Sequence, residues 1–198
     1  DIRPELFQKH EKMLHESRVI IADTNLQTEC LLYIARTYAD KPLFVDTVSA
    51  AKAPRILPCL DRIHTLKASR LEAGALSGMT SPDNKSLAKI ACWLHEKGVA
   101  RVLITLGQEG VFYSQDGEQG IEAVGSASKE AVNTSGAGDA FLAGVVHAWI
   151  KDWSLQKTVR FGMSAAYVAL SHRETINPGM SEDLVREIYK VNYGKYAI

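Results

Sequence analysis

The chain has 198 residues, of which 46% are hydrophobic and 23% are charged, so it belongs to the globular class and can bury a substantial core. Its 23 basic and 23 acidic side chains cancel and no block of lysine or arginine stands out, which argues against nucleic acid or an anionic membrane as a partner. The longest apolar runs, at 19–22 and 141–150, are too short or too interrupted for a membrane span. We therefore expect one domain over residues 1–198, in the cytoplasm.

The predicted elements alternate between strands and helices along most of the chain. The first, over residues 2–17, is a helix with Leu6, Met13 and Leu14 on one side. Short β-rich runs and longer amphipathic runs then take turns: the predicted strands are 18–23, 43–46, 63–66 and 101–106, and the predicted helices are 27–38, 55–60, 70–77 and 86–97. This alternation predicts right-handed βαβ units and a parallel sheet with helices on its faces.

The last third of the chain follows a different pattern. Residues 111–114 and 121–124 are predicted to form a hairpin around a turn that contains Gly and Asp, and helices are predicted at 137–151, 155–171 and 181–189. The cysteines Cys30, Cys59 and Cys92 lie in apolar helical stretches and are expected to be buried thiols. The six histidines show no paired metal-ligand spacing, which argues against a histidine-based zinc site.

Polar residues follow several predicted strands at the point where each strand ends. They are Asp46, Lys67 with Glu72, and Thr105 with Gly107. Ligands of open parallel sheets lie beyond the carboxyl ends of the strands, so we expect these residues on one rim. Asp46 and the nearby Lys52 stay outside the predicted catalytic set, because a strand-end turn and a solvated lysine explain them equally well.

The segment 133–141, N-T-S-G-A-G-D-A-F, delivers one carboxylate to the start of an apolar helix through a turn of small residues. Glycines at 136 and 138 allow consecutive N–H groups to converge on an anion, and the positive end of the helix dipole adds to this. Asp139, in the first turn, lies where a hydroxyl attacking phosphorus would need its proton removed. On the short motif alone, an ordinary strand-to-helix turn with a favourable first-turn acid is the more frequent explanation.

The longer segment 133–146, N-T-S-G-A-G-D-A-F-L-A-G-V-V, closely resembles the C-terminal motif of the PfkB family of carbohydrate and nucleoside kinases. Segments 44–50, 63–73 and 105–111 extend the resemblance in the order that family requires. Within the family they are most similar to the pseudouridine kinase branch, where V-D-x-V-S-A and I-H-T-L-K-x-x-R-L-E-A occur together. The resemblance covers essentially the whole chain.

This resemblance implies the ribokinase-like fold, a three-layer α/β/α arrangement with a mostly parallel central sheet. It also implies that the chain corresponds to the C-terminal two thirds of such a kinase, with the N-terminal part and the β-lid missing. We expect the 198-residue chain by itself to be inactive. The intact protein would use a small nucleoside or sugar as acceptor, with homodimerisation left open.

The implied reaction is transfer of the γ-phosphoryl group of ATP, with Mg²⁺, to a primary hydroxyl, the leading case being pseudouridine to pseudouridine 5′-phosphate. Asp139 would be the general base, and the backbone N–H groups of Gly136, Ala137 and Gly138 would form an anion hole. The residues assigned to ATP by resemblance are Thr105, Gly107, Gly110, Thr134 and Met163. Glu72 would hold magnesium through water, since Mg²⁺ keeps several of its waters.

Three positions depart from the family pattern. Asn133 and Ser135 stand where the family usually has Asp and often Thr near a monovalent-cation site, so potassium activation is in doubt. Ser69 replaces the asparagine of the family's Asn-x-x-Glu motif, and its shorter hydroxyl would reach magnesium or the phosphates only through water. With that asparagine lost, a glutamate on a helix surface is the alternative explanation of Glu72.

Other functions stay open at this point. A kinase for another nucleoside or sugar is the near alternative, and a non-catalytic nucleotide-binding remnant is the alternative from a different class. A Rossmann dehydrogenase and a Walker-type ATPase are excluded because G-x-G-x-x-G after the first strand and G-x-x-x-x-G-K-[ST] are both absent.

Overall fold

The computed structural model describes residues 2–80, 82–125, 136–172 and 177–194. The strands in these ranges are β1 (Ile20–Asp23), β2 (Leu43–Asp46), β3 (Ile63–Ser69), β4 (Arg101–Thr105), β5 (Val111–Gln115) and β6 (Glu118–Glu122). The helices are α1 (Pro4–Lys9), α2 (Glu11–Glu16), α3 (Thr28–Thr37), α4 (Arg70–Ser77), α5 (Asn84–Glu96), α6 (Ala137–Ile150), α7 (Leu155–Leu170) and α8 (Glu182–Tyr193). Two further segments, Ala53–Arg62 and Gly107–Glu109, are 3-10 helices.

The strands form one sheet in the order β1-β2-β3-β4-β5-β6. Strands β1 to β4 pair in parallel, and their registers include Asp23 with Asp46, Asp46 with Lys67, and Ser69 with Thr105. Strands β5 and β6 are joined by Asp116 and Gly117 alone, and a two-residue connection joins only antiparallel neighbours. The predicted α/β class with a mostly parallel sheet is therefore confirmed.

Backbone contacts divide the chain into two compact units, the first comprising Asp1–Leu106 and Ser114–Gly120. Every residue of β2 is buried, as expected for a parallel strand that is covered on both faces. The core residues are Leu31, Ile34, Phe44, Ile56, Ile63, Leu66, Leu87, Ile90, Leu94 and Leu103. This core holds the carboxyl ends of β2, β3 and β4 in fixed register.

The second unit comprises Gly107–Tyr113 and Ile121–Ile198. Helices α6 and α7 approach so closely that a Cβ on Gly144 would lie 2.9 Å from Gly162 Cα. The small residues of α7 therefore serve close helix packing. Helix α8 covers this pair through Val185 and Tyr189, which are buried against Phe161 and its neighbours.

An ion-pair cluster fixes the start of α8. Ser181 caps the helix, and Glu182 Oε1 accepts hydrogen bonds from Lys151 Nζ at 2.9 Å and Arg186 Nη2 at 2.6 Å. These two bonds lower the pKa of Glu182 to about 2 although the carboxylate is exposed to solvent. The cluster ties the end of α6 to the start of α8.

The predicted N-terminal helix over residues 2–17 is wrong in one respect, because it breaks into α1 and α2 at His10. Neither helix has a buried residue, and each touches the rest of the chain mainly through one aromatic contact, Phe7 with Tyr33 and His15 with Tyr38, so little packing favours a single long helix. Leu6 and Met13 are 42% and 63% exposed. The predicted helix at 55–60 is likewise a 3-10 segment, in which Pro58 lacks the N–H that a regular helix uses.

The prediction of three buried thiols is confirmed for Cys30 and Cys59 and is wrong for Cys92, which is exposed. The buried face of α5 consists of Leu87, Ile90, Ala91 and Leu94, at the spacing of one helix stripe. Cys92 lies off that stripe, and its Sγ donates to Glu96 Oε1 at 3.6 Å.

Among the residues with described placement, no helix is both long and apolar enough to cross a membrane. Within the same ranges no three His, Cys, Asp or Glu side chains gather as a metal-binding group would.

Candidate functional site

An ion pair is buried where β2 and β3 end. Lys67 Nζ donates to Asp46 Oδ2 at 2.8 Å and to Oδ1 at 3.0 Å, and both side chains are at most 10% exposed. Charges this far from water are tolerated when they are paired and hydrogen-bonded. The sequence placed both residues at strand ends but did not reveal that they pair. The pair could have been inferred from the positions of the two residues near the ends of adjacent parallel strands.

The turn after β2 is strained and tightly bonded. Val48 has a φ of 54°, in the left-handed region, and its N–H donates to Asp46 Oδ1 at 3.0 Å. This conformation is uncommon for a β-branched side chain, and such strain costs on the order of 1–3 kcal/mol. The preceding Thr47 is fully buried, and its Oγ1 donates to Glu72 Oε2 at 2.6 Å.

Helix α4 begins with a capping box that contains two of the predicted metal residues. Ser69 Oγ accepts from Glu72 N at 3.4 Å, and Ser69 N donates to Glu72 Oε2 at 2.7 Å. Glu72 is 8% exposed, so the alternative of a helix-surface glutamate is wrong. The short Ser69 side chain is used to start the helix.

The hydrogen bonds that Glu72 receives suit contact with a hydrated magnesium ion better than direct coordination of the ion. Oε2 already receives two hydrogen bonds, from Thr47 and from Ser69, and a carboxylate oxygen engaged in this way is poorly placed to enter an inner coordination shell. Mg²⁺ holds its waters tightly and is often contacted through them. Glu72 therefore fits the predicted water-mediated role.

Thr105 is the last residue of β4 and pairs with Ser69 at the end of β3. Its Oγ1 donates to the carbonyl of Ala68 at 3.4 Å. Together with the pair of Asp46 and Lys67, these residues occupy the carboxyl ends of three adjacent strands, as the sequence predicted for the rim.

Arg55 fixes a neighbouring loop and was missed by sequence reasoning. Its Nη1 donates to three successive carbonyls, those of Thr24, Asn25 and Leu26, at 2.9, 3.2 and 3.3 Å. Lys52 Nζ donates to Asn25 Oδ1 at 2.6 Å, so this lysine has a defined partner. The loop after β1 is thereby held by two cations.

In the second unit, the glycines Gly107 and Gly110 share a backbone conformation that favours glycine but differ in the space around them. Both have positive φ, 63° and 109°. A Cβ on Gly107 would meet nothing within 4 Å, whereas a Cβ on Gly110 would lie 1.9 Å from the carbonyl oxygen of Glu122. Packing against β6 is thus a sufficient reason for glycine at 110, and open space beside the backbone is found at 107.

Helix α6 begins as the motif predicts. Gly136 is its N-cap with a φ of 79°, and the first intrahelical bond runs from Ala140 N to Gly136 O at 2.9 Å. The N–H groups of Ala137, Gly138 and Asp139 precede that bond and have no acceptor within the helix. The Asp139 side chain is exposed in the first turn. N–H groups without a helical acceptor and an exposed carboxylate therefore occur in the same turn.

Met163 lies on α7, one residue after Gly162, and its Sδ accepts a hydrogen bond from Tyr193 OH at 3.7 Å. Arg160 lies over the ring of Tyr193, with 5.2 Å to the ring centroid. The predicted adenine neighbour thus has an aromatic and a cationic group beside it. The predicted residue Thr134, and the departures at 133 and 135, lie outside the described residues.

A parallel sheet with polar residues beyond its carboxyl ends defines the chain as an α/β protein of the kind that binds small ligands there. Residues 2–183 match the pfkB family of carbohydrate kinases, so the chain belongs to this family. It is 38% identical over 181 residues to the pseudouridine kinase of Escherichia coli K12, covering 91% of this chain and 57% of that protein. It is 33% identical over 185 residues to the uncharacterized sugar kinase YeiI of the same organism, covering 92% of this chain and 50% of that protein.

The fold is also that of a solved kinase. The ribokinase of Arabidopsis thaliana, complexed with ribose and ATP, superposes with a TM-score of 0.82 over 92% of this chain and 59% of that chain, at 22% sequence identity. At this low sequence identity the likeness is evidence for the fold alone. The superposition confirms the predicted ribokinase-like architecture. The chain spans roughly half to three fifths of the length of these three relatives.

Proposed function

We propose that this chain carries the nucleotide and catalytic residues of an ATP-dependent kinase that phosphorylates a primary hydroxyl. The observation that carries the proposal is the start of α6, where N–H groups that have no acceptor within the helix and the exposed carboxylate of Asp139 lie in one turn. Pseudouridine is the proposed acceptor, with pseudouridine 5′-phosphate as product. The support for this acceptor is the 38% identity to a pseudouridine kinase.

Asp139 is the proposed general base. Its carboxylate takes the proton of the acceptor hydroxyl while the acceptor oxygen bonds to the γ-phosphorus of ATP. The bond from that phosphorus to the bridging oxygen breaks, and ADP leaves with the bonding electron pair. An exposed carboxylate in the first turn of a helix is reachable by a substrate hydroxyl, which suits this role.

The backbone at 136–138 is the proposed anion hole. N–H groups that have no helical acceptor are donors fixed before substrate arrives, and the positive end of the helix dipole lies at the same place. Such preorganised donors stabilise charge on a transferring phosphoryl group without reorganisation. The small side chains at these positions leave the donors accessible.

Magnesium, when bound with ATP, neutralises charge on the phosphates. Glu72 is proposed to hold its hydration shell, with Ser69 contributing only through water. Thr105, Gly107 and Gly110 are proposed to border the nucleotide, together with Thr134 and Met163. Potassium activation is not proposed, because Asn133 has no charge to offer a monovalent cation.

Calorimetry of the 198-residue chain with Mg·ATP and Mg·ADP tests the binding part of the proposal. The expected result is saturable binding and a rise in melting temperature, since a ligand that binds only the folded state stabilises it. The variant Gly138→Val is expected to abolish binding, because its branched side chain intrudes on the N–H groups. No heat and no thermal shift at millimolar nucleotide would remove the proposal.

A transfer assay with ATP and pseudouridine, uridine, ribose or fructose, carried out on a full-length version that contains this chain, tests the reaction and its acceptor. Phosphorylation of pseudouridine above the other three supports the leading proposal. The family relatives include sugar kinases, so ribose or fructose is the near alternative, and phosphorylation of either alone would retain the kinase and reject the pseudouridine branch. We expect this chain alone to bind nucleotide without turnover, and phosphate transfer by it would reject that expectation.

A further inference from the structure

We propose that Thr47 is a positioning residue that orients the carboxylate of Glu72 toward magnesium-bound nucleotide, an inference that rests on the proposed function. Thr47 lies in the turn after β2, and Glu72 lies 25 residues later in the first turn of α4. The resemblance assigned a role to Glu72 and none to Thr47.

The contact is a short bond between buried groups. Thr47 is 0% and Glu72 is 8% exposed, and the distance from Thr47 Oγ1 to Glu72 Oε2 is 2.6 Å. Oγ1 also lies 3.3 Å from the carbonyl of Lys67, but a hydroxyl has one hydrogen and the shorter contact to a carboxylate is the stronger one. At such burial, water is a poor substitute for the hydroxyl.

Two donors from different elements meet on one oxygen. Ser69 N reaches Glu72 Oε2 at 2.7 Å from the same helix, and Thr47 reaches it from the turn of a neighbouring strand. The terminal torsion of a glutamate is otherwise broad, so two donors on Oε2 define the orientation of the whole carboxylate. Capping α4 requires only Ser69 and Glu72.

Thr47 is itself held in place. Its N–H donates to the carbonyl of Lys67 at 3.2 Å, and its own carbonyl accepts from Thr24 Oγ1. The next residue, Val48, keeps a left-handed φ of 54°. Backbone strain of this kind persists where the surroundings over-determine the conformation, and it clusters at functional sites.

The test is the magnesium dependence of nucleotide binding to the 198-residue chain, measured calorimetrically with ADP from EDTA to excess Mg²⁺. The variant Thr47→Val keeps the shape and removes the hydroxyl, whereas Thr47→Ser keeps the hydroxyl. We expect Thr47→Val to need about 10- to 100-fold more Mg²⁺ for half-maximal binding, the usual effect of losing a partner that orients a metal-site group. Its affinity for ADP in EDTA should stay within about twofold of the parent, and Thr47→Ser should stay near the parent throughout.

A double-mutant cycle that combines Thr47→Val with Glu72→Gln shows whether Thr47 acts through Glu72. In the Glu72→Gln background, Thr47→Val should no longer change the magnesium requirement. The inference would be overturned if Thr47→Val alone left the magnesium requirement unchanged, or if it lowered the affinity for ADP equally with and without Mg²⁺. Either result would leave the kinase proposal standing. A parent chain that binds no nucleotide would overturn both.

Folding is checked by thermal melts in EDTA, and Thr47→Ala serves as a second variant that removes the hydroxyl without adding an apolar branch beside the carboxylate. A magnesium shift in both variants supports the positioning role. If neither variant folds, the hydroxyl is needed for the fold itself and the positioning role is refuted.

Discussion

Substituting alanine at Gly107 and at Gly110 separates a conformational requirement from a packing requirement. Both glycines have positive φ, which costs an alanine about 1–2 kcal/mol. At Gly107 that is the whole cost, because a Cβ there meets nothing within 4 Å. At Gly110 the Cβ would lie 1.9 Å from Glu122 O, so β6 must shift, which adds about 1–3 kcal/mol as overpacking does.

Urea unfolding and thermal melts of the two variants provide the measurement. For a chain of this size 1 kcal/mol corresponds to about 2–4 °C, so Gly110→Ala should melt about 2–12 °C below Gly107→Ala. Nucleotide titration adds a second readout, because Gly107→Ala should weaken ADP binding if its open side borders the ligand. Equal melting temperatures for the two variants would refute the packing argument.

The remaining predictions concern the base and two ion pairs. In a full-length version that contains this chain, Asp139→Asn should lower turnover about 10²- to 10⁴-fold and change nucleotide affinity only a few-fold, and retained turnover would reject the base. The pKa of Glu182 is lowered to about 2, so its contribution to stability is present above its unfolded pKa and is lost as pH falls toward 2. In thermal melts at decreasing pH, Glu182→Gln should not show this loss of stability, whereas Glu187→Gln on the same helix should still show it. Lys67→Met should destabilise by about 3–5 kcal/mol by leaving a buried charge, and adding Asp46→Asn should restore much of the loss; no rescue in urea unfolding would refute the pairing argument.

The order of strands and helices was predictable because it rests on local patterns. Alternation of short apolar runs with amphipathic ones identified β1 to β4 and the helices α3, α4 and α5, with ends shifted by a few residues. The sequence pattern predicts the hairpin but places β6 late, because the turn at Asp116 and Gly117 has only two residues and the pattern indicates a longer loop. Both residues have positive φ, 49° and 83°, and Asp-Gly is a strong signal for such a turn.

Contacts between distant residues were not predictable from local pattern. The pair of Asp46 and Lys67 depends on the register of two strands whose residues lie 21 apart in sequence. The exposure of Cys92 depends on which stripe of α5 faces the core, and the break at His10 goes with the absence of buried residues in α1 and α2. In each case tertiary packing decided the outcome, and a periodic pattern constrains packing only weakly.

Glu72 shows how a local rule and a site requirement overlap. Serine and asparagine are both favoured as N-caps, so replacing the family's asparagine by Ser69 preserves the start of α4. The glutamate three residues later then closes a capping box, which would explain Glu72 without any metal. Capping gives no reason, however, for a buried hydroxyl on another strand's turn to donate to the same carboxylate oxygen at 2.6 Å. Capping of α4 does not require this contact. Substitution of Thr47 therefore tests whether Glu72 is oriented for a binding site or serves only to start the helix.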